Sequence, residues 1–144
     1  MVERHANLWT TPAHFRVITT NGSVRADGCA VLGRGCAREA AMTFPRLRRL
    51  LGARLQSHGN HVHFFDGELL GSPFGLFTFP VKHQWNERAD LGLIAQSVDE
   101  FRALLLDSAT YAMPRPGCGN GGLLWAQVGP IVATLPDNVV IVHF

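Results

Sequence analysis

Pro114-Arg115-Pro116-Gly117-Cys118-Gly119-Asn120-Gly121-Gly122-Leu123-Leu124-Trp125 is the stretch around which the rest of the chain is read. Four of these residues are glycine, and spaced glycines let backbone N–H groups approach a ligand with no Cβ in the way. A short apolar run, 110–113, precedes the stretch, and an apolar segment ending near Leu135 follows it. A strand, a glycine-rich turn and a helix start together present unpaired N–H donors and a positive dipole end, which suits an anion. Neither the G-x-x-x-x-G-K-[ST] phosphate loop nor the G-x-G-x-x-G dinucleotide fingerprint is present. Alone, the stretch is either a phosphate cradle or a surface turn.

Working outward, residues 15–20 are β-branched and read as a strand ended by Asn21-Gly22. A loop to Gly33 follows. Ala37, Ala40, Ala41 and Phe44 fall at helical spacing from Arg34 onward, and Pro45 stops that helix. A second helix is expected over 46–57, with Leu47, Leu50, Leu51 and Leu55 inward and Arg46, Arg48, Arg49 and Arg54 on a solvated face. Residues 61–65 and 75–79 read as an antiparallel pair of strands, and 80–89 as a polar loop. Asp90 caps a helix with Leu91, Ile94, Val98, Phe101 and Leu105 inward, with Ser97 and Glu100 offering a second start. Pro130 suits a first turn, so the closing helix is expected from about 130 to Leu135, before a last strand at 139–142. Strands alternating with helices predict a three-layer α/β/α sandwich with a mixed central sheet, in one domain over 1–144.

Three loops, 21–33, 80–89 and 114–122, each follow a strand and precede a helix. In an open α/β sheet such loops gather at the carboxyl ends of the strands, where ligands bind. Two glycine-rich helix starts facing one crevice are what a diphosphate needs.

Composition narrows the class. The chain has 144 residues, 47% hydrophobic and 17% charged, which describes a globule that buries roughly two-thirds of its unfolded surface. No apolar run approaches membrane-spanning length, and the start, Met1-Val2-Glu3-Arg4-His5, lacks a signal-peptide core. Three cysteines without a C-x-x-C pair predict a reducing, cytoplasmic setting and no zinc site. A net charge of +2 is too small to predict nucleic-acid binding by itself, although twelve of the thirteen basic residues are arginine and Lys82 is the single lysine.

Three blocks carry a resemblance to a known family: Ile18-Thr19-Thr20-Asn21-Gly22 with 30–37; Phe79-Pro80-Val81-Lys82 with Trp85; and Met113 through Leu123. With Asn7-Leu8 they span nearly the whole chain, and the ordered set resembles a macrodomain, the ADP-ribose-binding α/β/α fold. It is most similar to the branch of the terminal ADP-ribose glycohydrolase and of the antitoxin macrodomain that removes ADP-ribose from DNA thymidine. The resemblance implies ADP-ribose, or an ADP-ribosylated macromolecule including nucleic acid, as partner. No cofactor, no metal and no membrane are expected, and the protein is expected to be a monomer.

Residue by residue, the resemblance implies that Asn7 and Leu8 hold the adenine edge, with Asn7 in place of the commoner aspartate. Asn21, followed by Gly22, faces the distal ribose. Gly33, Arg34, Gly35, Cys36 and Ala37 wrap one side of the diphosphate, and Pro116, Gly117, Cys118, Gly119, Asn120, Gly121, Gly122 and Leu123 form the opposite wall. Lys82 matches the lysine proposed in that branch to attack the anomeric carbon, chemistry open to an amine whose pKa is lowered by desolvation or a positive field. Gly121 stands where the glycohydrolase has its acid, which leaves Lys82 to attack, to orient water or to hold the ribose. Lys82 and Asn21 are the expected catalytic pair for an ADP-ribosyl hydrolase. An ADP-ribose-1''-phosphate phosphatase and a non-catalytic ADP-ribose reader are the alternatives.

Other residues read more plainly. Cys118 lacks a partnering His/Asp pattern, His61 and His63 lack a third ligand, and Trp85 and Trp125 are expected to plug the core.

Overall fold

The computed structural model describes residues 1–143. Six strands, β1 (Val2–His5), β2 (Phe15–Asn21), β3 (His63–Phe65), β4 (Gly75–Lys82), β5 (Tyr111–Pro114) and β6 (Val139–His143), alternate with five helices. These helices are α1 (Gly35–Thr43), α2 (Leu47–His58), α3 (Gly67–Leu70), α4 (Leu91–Leu104) and α5 (Trp125–Val132). The strands form one sheet in the order β1-β6-β5-β2-β4-β3, parallel except for β3, which runs antiparallel to β4. The expected mixed sheet and α/β/α architecture are therefore present.

Successive strand residues feed opposite faces, as a two-residue period requires. Val17, Tyr111 and Met113 join α4 and α5 in one buried cluster, while Ile18 and Ala112 join α1 and α2 in the other. The alanine face of α1 is buried at Ala37, Ala40 and Ala41 and lets that helix lie close on its neighbours. At Gly52 a Cβ would fall 1.9 Å from the Gly28 carbonyl oxygen, so α2 presses directly on the loop after β2.

Several elements differ from the sequence reading. β1 has three exposed residues and no alternation, and only its parallel pairing with β6 (Val2 opposite Val140) makes it a strand. β4 continues through Pro80, because β3 ends at His63 opposite Thr78, leaving no antiparallel partner there to miss the proline N–H. α4 is unbroken: Asp90 accepts from the Gly92 and Leu93 amides, and the Ser97 hydroxyl is buried on the Pro80 carbonyl at 2.7 Å instead of starting a helix. α5 starts at Trp125, with Pro130 inside it; the Gln127 side chain caps the Leu124 amide at 3.0 Å, and buried Val128 and Val132 hold the helix despite the missing bond. His61 lies outside β3, paired to Glu100 at 2.7 Å. Among the described residues no helix is long and apolar enough to cross a membrane.

Candidate functional site

The carboxyl ends of β2, β4 and β5 release three loops on the same edge of the sheet, and hydrogen bonds tie these loops together. The Gly22 amide donates to the His83 carbonyl at 3.1 Å, and a Cβ on Gly22 would sit 2.7 Å from that oxygen. The Ser23 hydroxyl accepts from the Trp85 amide at 2.9 Å and donates to Gln84 at 2.8 Å. The Ala89 amide donates to the Gly121 carbonyl at 3.0 Å. The three loops are thus one platform.

Asn21 and Lys82 are paired across β2 and β4, where the register shifts between Thr20 and Asn21. The Asn21 amide nitrogen donates to the Val31 carbonyl (3.0 Å), and its oxygen accepts from the Ser23 amide (2.9 Å). A carboxamide has two N–H donors and two acceptor lone pairs, so half its capacity remains for a ligand. The Lys82 ammonium reaches only the Trp85 carbonyl, at 3.5 Å, while Asn60 fixes the Lys82 carbonyl at 3.0 Å.

Between the loops lies a cavity of about 620 Å³. Arg25, Arg34, Lys82 and Arg115 line it, and no aspartate or glutamate does. Arg34 gives α1 no side-chain cap, so the first-turn amides of Gly35, Cys36 and Ala37, which line the cavity, are unspent donors. Four cations and a helix N-terminus with no opposing carboxylate make a strong anion site. The glycine stretch closes the other side, where Gly117, Gly119, Asn120 and Gly121 line the cavity. Gly117 holds φ at +74°, which favours glycine, and a Cβ there would press on Ile94 at 2.9 Å. The two walls come close where a Cβ on Gly35 would stand 3.3 Å from the Asn120 amide nitrogen.

Thiol chemistry is disfavoured. Burial pushes the Cys36 thiol up, with Thr19 at 3.6 Å only partly offsetting it, and burial also raises Cys118. Neither is a ready thiolate at neutral pH. A second cavity, of about 530 Å³, adjoins the first on its outer side and shares Arg34, Lys82, Trp85, Asn120 and Gly121 with it.

No family model matches the chain. A DNA ADP-ribosyl glycohydrolase of Thermus aquaticus is 28% identical over 127 residues, covering 85% of this chain and 34% of the relative. The chain thus spans about a third of the length of that curated relative. Among solved structures, the macrodomain of Mycobacterium tuberculosis DarG matches with a TM-score of 0.80 at 22% identity, covering 99% of this chain and 97% of that one. The macrodomain of Thermus aquaticus DarG gives 0.78 at 24% identity, with coverages of 99% and 97%. Thermosipho africanus DarTG in complex with ADP-ribose gives 0.75 at 18% identity, covering 94% of this chain and 39% of that one.

The fold is that of a macrodomain. Within it, Asn21, Gly33, Arg34, Gly35, Cys36, Ala37, Lys82, Gly117, Gly119, Asn120 and Gly121 all line the large cavity. Gly22, Pro116, Cys118, Gly122 and Leu123 do not; Gly22 serves the loop contact with His83, Leu123 the core, and Gly122 the outer cavity. Asn7 and Leu8 also lie outside the lining. Asn7 caps its own turn through the Trp9 amide at 2.7 Å, and Leu8 is buried in the core. That turn is pinned by Arg16, a buried cation that donates to the Trp9, Thr11 and Ala13 carbonyls.

Four residues of the macrodomain crevice escaped the sequence reading: Arg25, Trp85, Arg88 and Arg115. Trp85 is 57% exposed and is no core plug, because its amide is spent on Ser23 and the indole is left at the cavity mouth. Its place directly after the single lysine was the available signal. Trp125 does pack on the core, with the Arg115 guanidinium 4.8 Å above its ring. On α2, Arg46, Arg48 and Arg54 are not simply solvated, for each bonds a backbone carbonyl of a neighbouring segment.

Proposed function

We propose that this macrodomain is an ADP-ribosyl hydrolase that removes ADP-ribose from modified DNA. The observation that carries this reading is the cavity with four cations and no carboxylate, bordered by two glycine-rich turns and with Lys82 on its wall. The diphosphate lies between the turns at 33–37 and 117–122, on the first amides of α1. The distal ribose lies over Asn21 and Lys82, and the adenine end runs toward Asn7 and Leu8. The similarity to a DNA ADP-ribosyl glycohydrolase favours DNA as the conjugate.

Hydrolysis breaks the bond between the anomeric carbon and the leaving group. Water contributes its hydroxyl to the carbon and its proton to the leaving group. Lys82 supplies the one side-chain amine in the cavity and acts at that carbon, while the unspent N–H and lone pair of Asn21 hold the ribose hydroxyls. The surrounding positive field stabilises charge on the departing side. Cys29, Cys36 and Cys118 are free thiols, which suits work in the cytoplasm, and the reading is of a monomer, since one chain supplies the whole crevice.

The absence of a carboxylate from the lining favours a second reading, a non-catalytic ADP-ribose reader. One panel separates them: ADP-ribosylated DNA, ADP-ribosylated protein and ADP-ribose-1''-phosphate, with wild type and Lys82→Ala. The hydrolase reading expects release of ADP-ribose from DNA, and a loss of roughly 100-fold or more in Lys82→Ala with ADP-ribose binding retained. Binding without turnover on every conjugate selects the reader, and full cleavage by Lys82→Ala removes the lysine from the mechanism.

A further inference from the structure

The outer cavity is not needed to hold ADP-ribose. It begins where the first cavity ends, at Lys82, and its own residues are Asn86, Glu87, Arg88 and Gly122. Three cations, Arg34, Lys82 and Arg88, face one carboxylate, Glu87. Arg88 is held in place by a 2.7 Å bond to the Gly122 carbonyl, and the indole of Trp85 stands exposed at the border of the two cavities. A fixed guanidinium, an excess of positive charge and a bare aromatic face are the elements that bind unstacked bases and their phosphates.

We propose that this outer cavity is the acceptor subsite and takes the modified base, out of its stack, together with the adjoining phosphate of a single-stranded nucleic acid. This inference rests on the hydrolase reading above and adds a substrate form to it. A base stacked within a duplex cannot follow its ADP-ribose to Lys82, whereas an unpaired base enters a concave site at little expense. Trp85 stacks on the base as it leaves, Arg88 and Arg34 meet the phosphate, and Glu87 is the carboxylate that opposes it.

The test compares kcat/KM on an ADP-ribosylated single-stranded oligonucleotide with that on the matching ADP-ribosylated mononucleoside, which has the same bond and no flanking phosphate. In Arg88→Gln the oligonucleotide-to-mononucleoside ratio falls by about three- to tenfold, and the slope of its salt dependence drops by about 0.7. In Glu87→Lys, which adds a cation to the same wall, the ratio rises and the slope steepens. A gain of this kind cannot come from damaged folding. Ratios unchanged in both variants overturn the subsite while leaving the hydrolase reading in place. The same response on an ADP-ribosylated peptide, with none on the oligonucleotide, overturns it in favour of a polypeptide acceptor. Wild type that cleaves no conjugate overturns both readings together.

Discussion

Gly121 is where an acid would stand in a related glycohydrolase, and the obvious experiment is to put one back. The geometry predicts that Gly121→Asp fails as a gain of function. A Cβ at 121 would lie 2.5 Å from the Gly117 carbonyl oxygen, 2.8 Å from the Gly117 Cα and 2.8 Å from the Ala89 Cβ. Two of these three neighbours are backbone, so the turn itself must move. Gly121 does not hold a positive φ, and the penalty is therefore steric. Overpacking of this kind costs about 1–3 kcal/mol, or a fall of roughly 3–10 °C in Tm for a chain of this size. The displaced turn carries Gly117, Gly119 and Asn120 with it, and ADP-ribose affinity falls with stability. Gly119 is the control, lining the same cavity with nothing within 4 Å of its virtual Cβ. Scanning fluorimetry and calorimetric titration with ADP-ribose on Gly121→Ala, Gly121→Asp and Gly119→Ala decide the matter. A Gly121→Ala protein that melts and binds like wild type refutes the reasoning.

Other substitutions read out separate parts of the platform. Gly52→Ala drives a methyl into the Gly28 carbonyl at 1.9 Å and is expected to destabilise by about 3 kcal/mol, measured by urea unfolding. Ser23→Ala strands the Trp85 amide and is expected to cost about 1–2 kcal/mol, with faster hydrogen exchange at Trp85 while β2 stays protected. Burial holds the His63 imidazole below its ordinary 6.5, its bond to the Gly59 carbonyl only partly offsetting this. The unfolded chain therefore takes up the proton first, and stability present above 6.5 is lost as the pH falls below it; unfolding curves of His63→Gln should lack that part of the decline. For Lys82→Ala, the separation of retained ADP-ribose binding from lost cleavage is the expected signature.

The parts legible in the sequence were those with a local cause. Glycine spacing at 117–122 and alanine spacing at 37–41 mark a turn and a close-packed helix face whatever surrounds them, and both stand where expected. The parts that were not legible depend on a distant neighbour. Val2–His5 is a strand only because β6 lies beside it, and Pro80 stays in β4 only because β3 has already ended. Trp85 illustrates the same limit for the site. An indole is ordinarily buried, and only the bond from its amide to Ser23, more than sixty residues away, leaves its ring in solvent.

The charge balance of the crevice has a kinetic consequence. Free ADP-ribose keeps the same diphosphate as the conjugate, and the four cations and the first turn of α1 hold both alike. Such binding tightens capture of the substrate and slows departure of the product by the same factor, without lowering the barrier between them. Turnover on the proposed reading is then paced by product escape, and free ADP-ribose acts as a competitive brake. A protein with this crevice works best where the concentration of its own product is kept low.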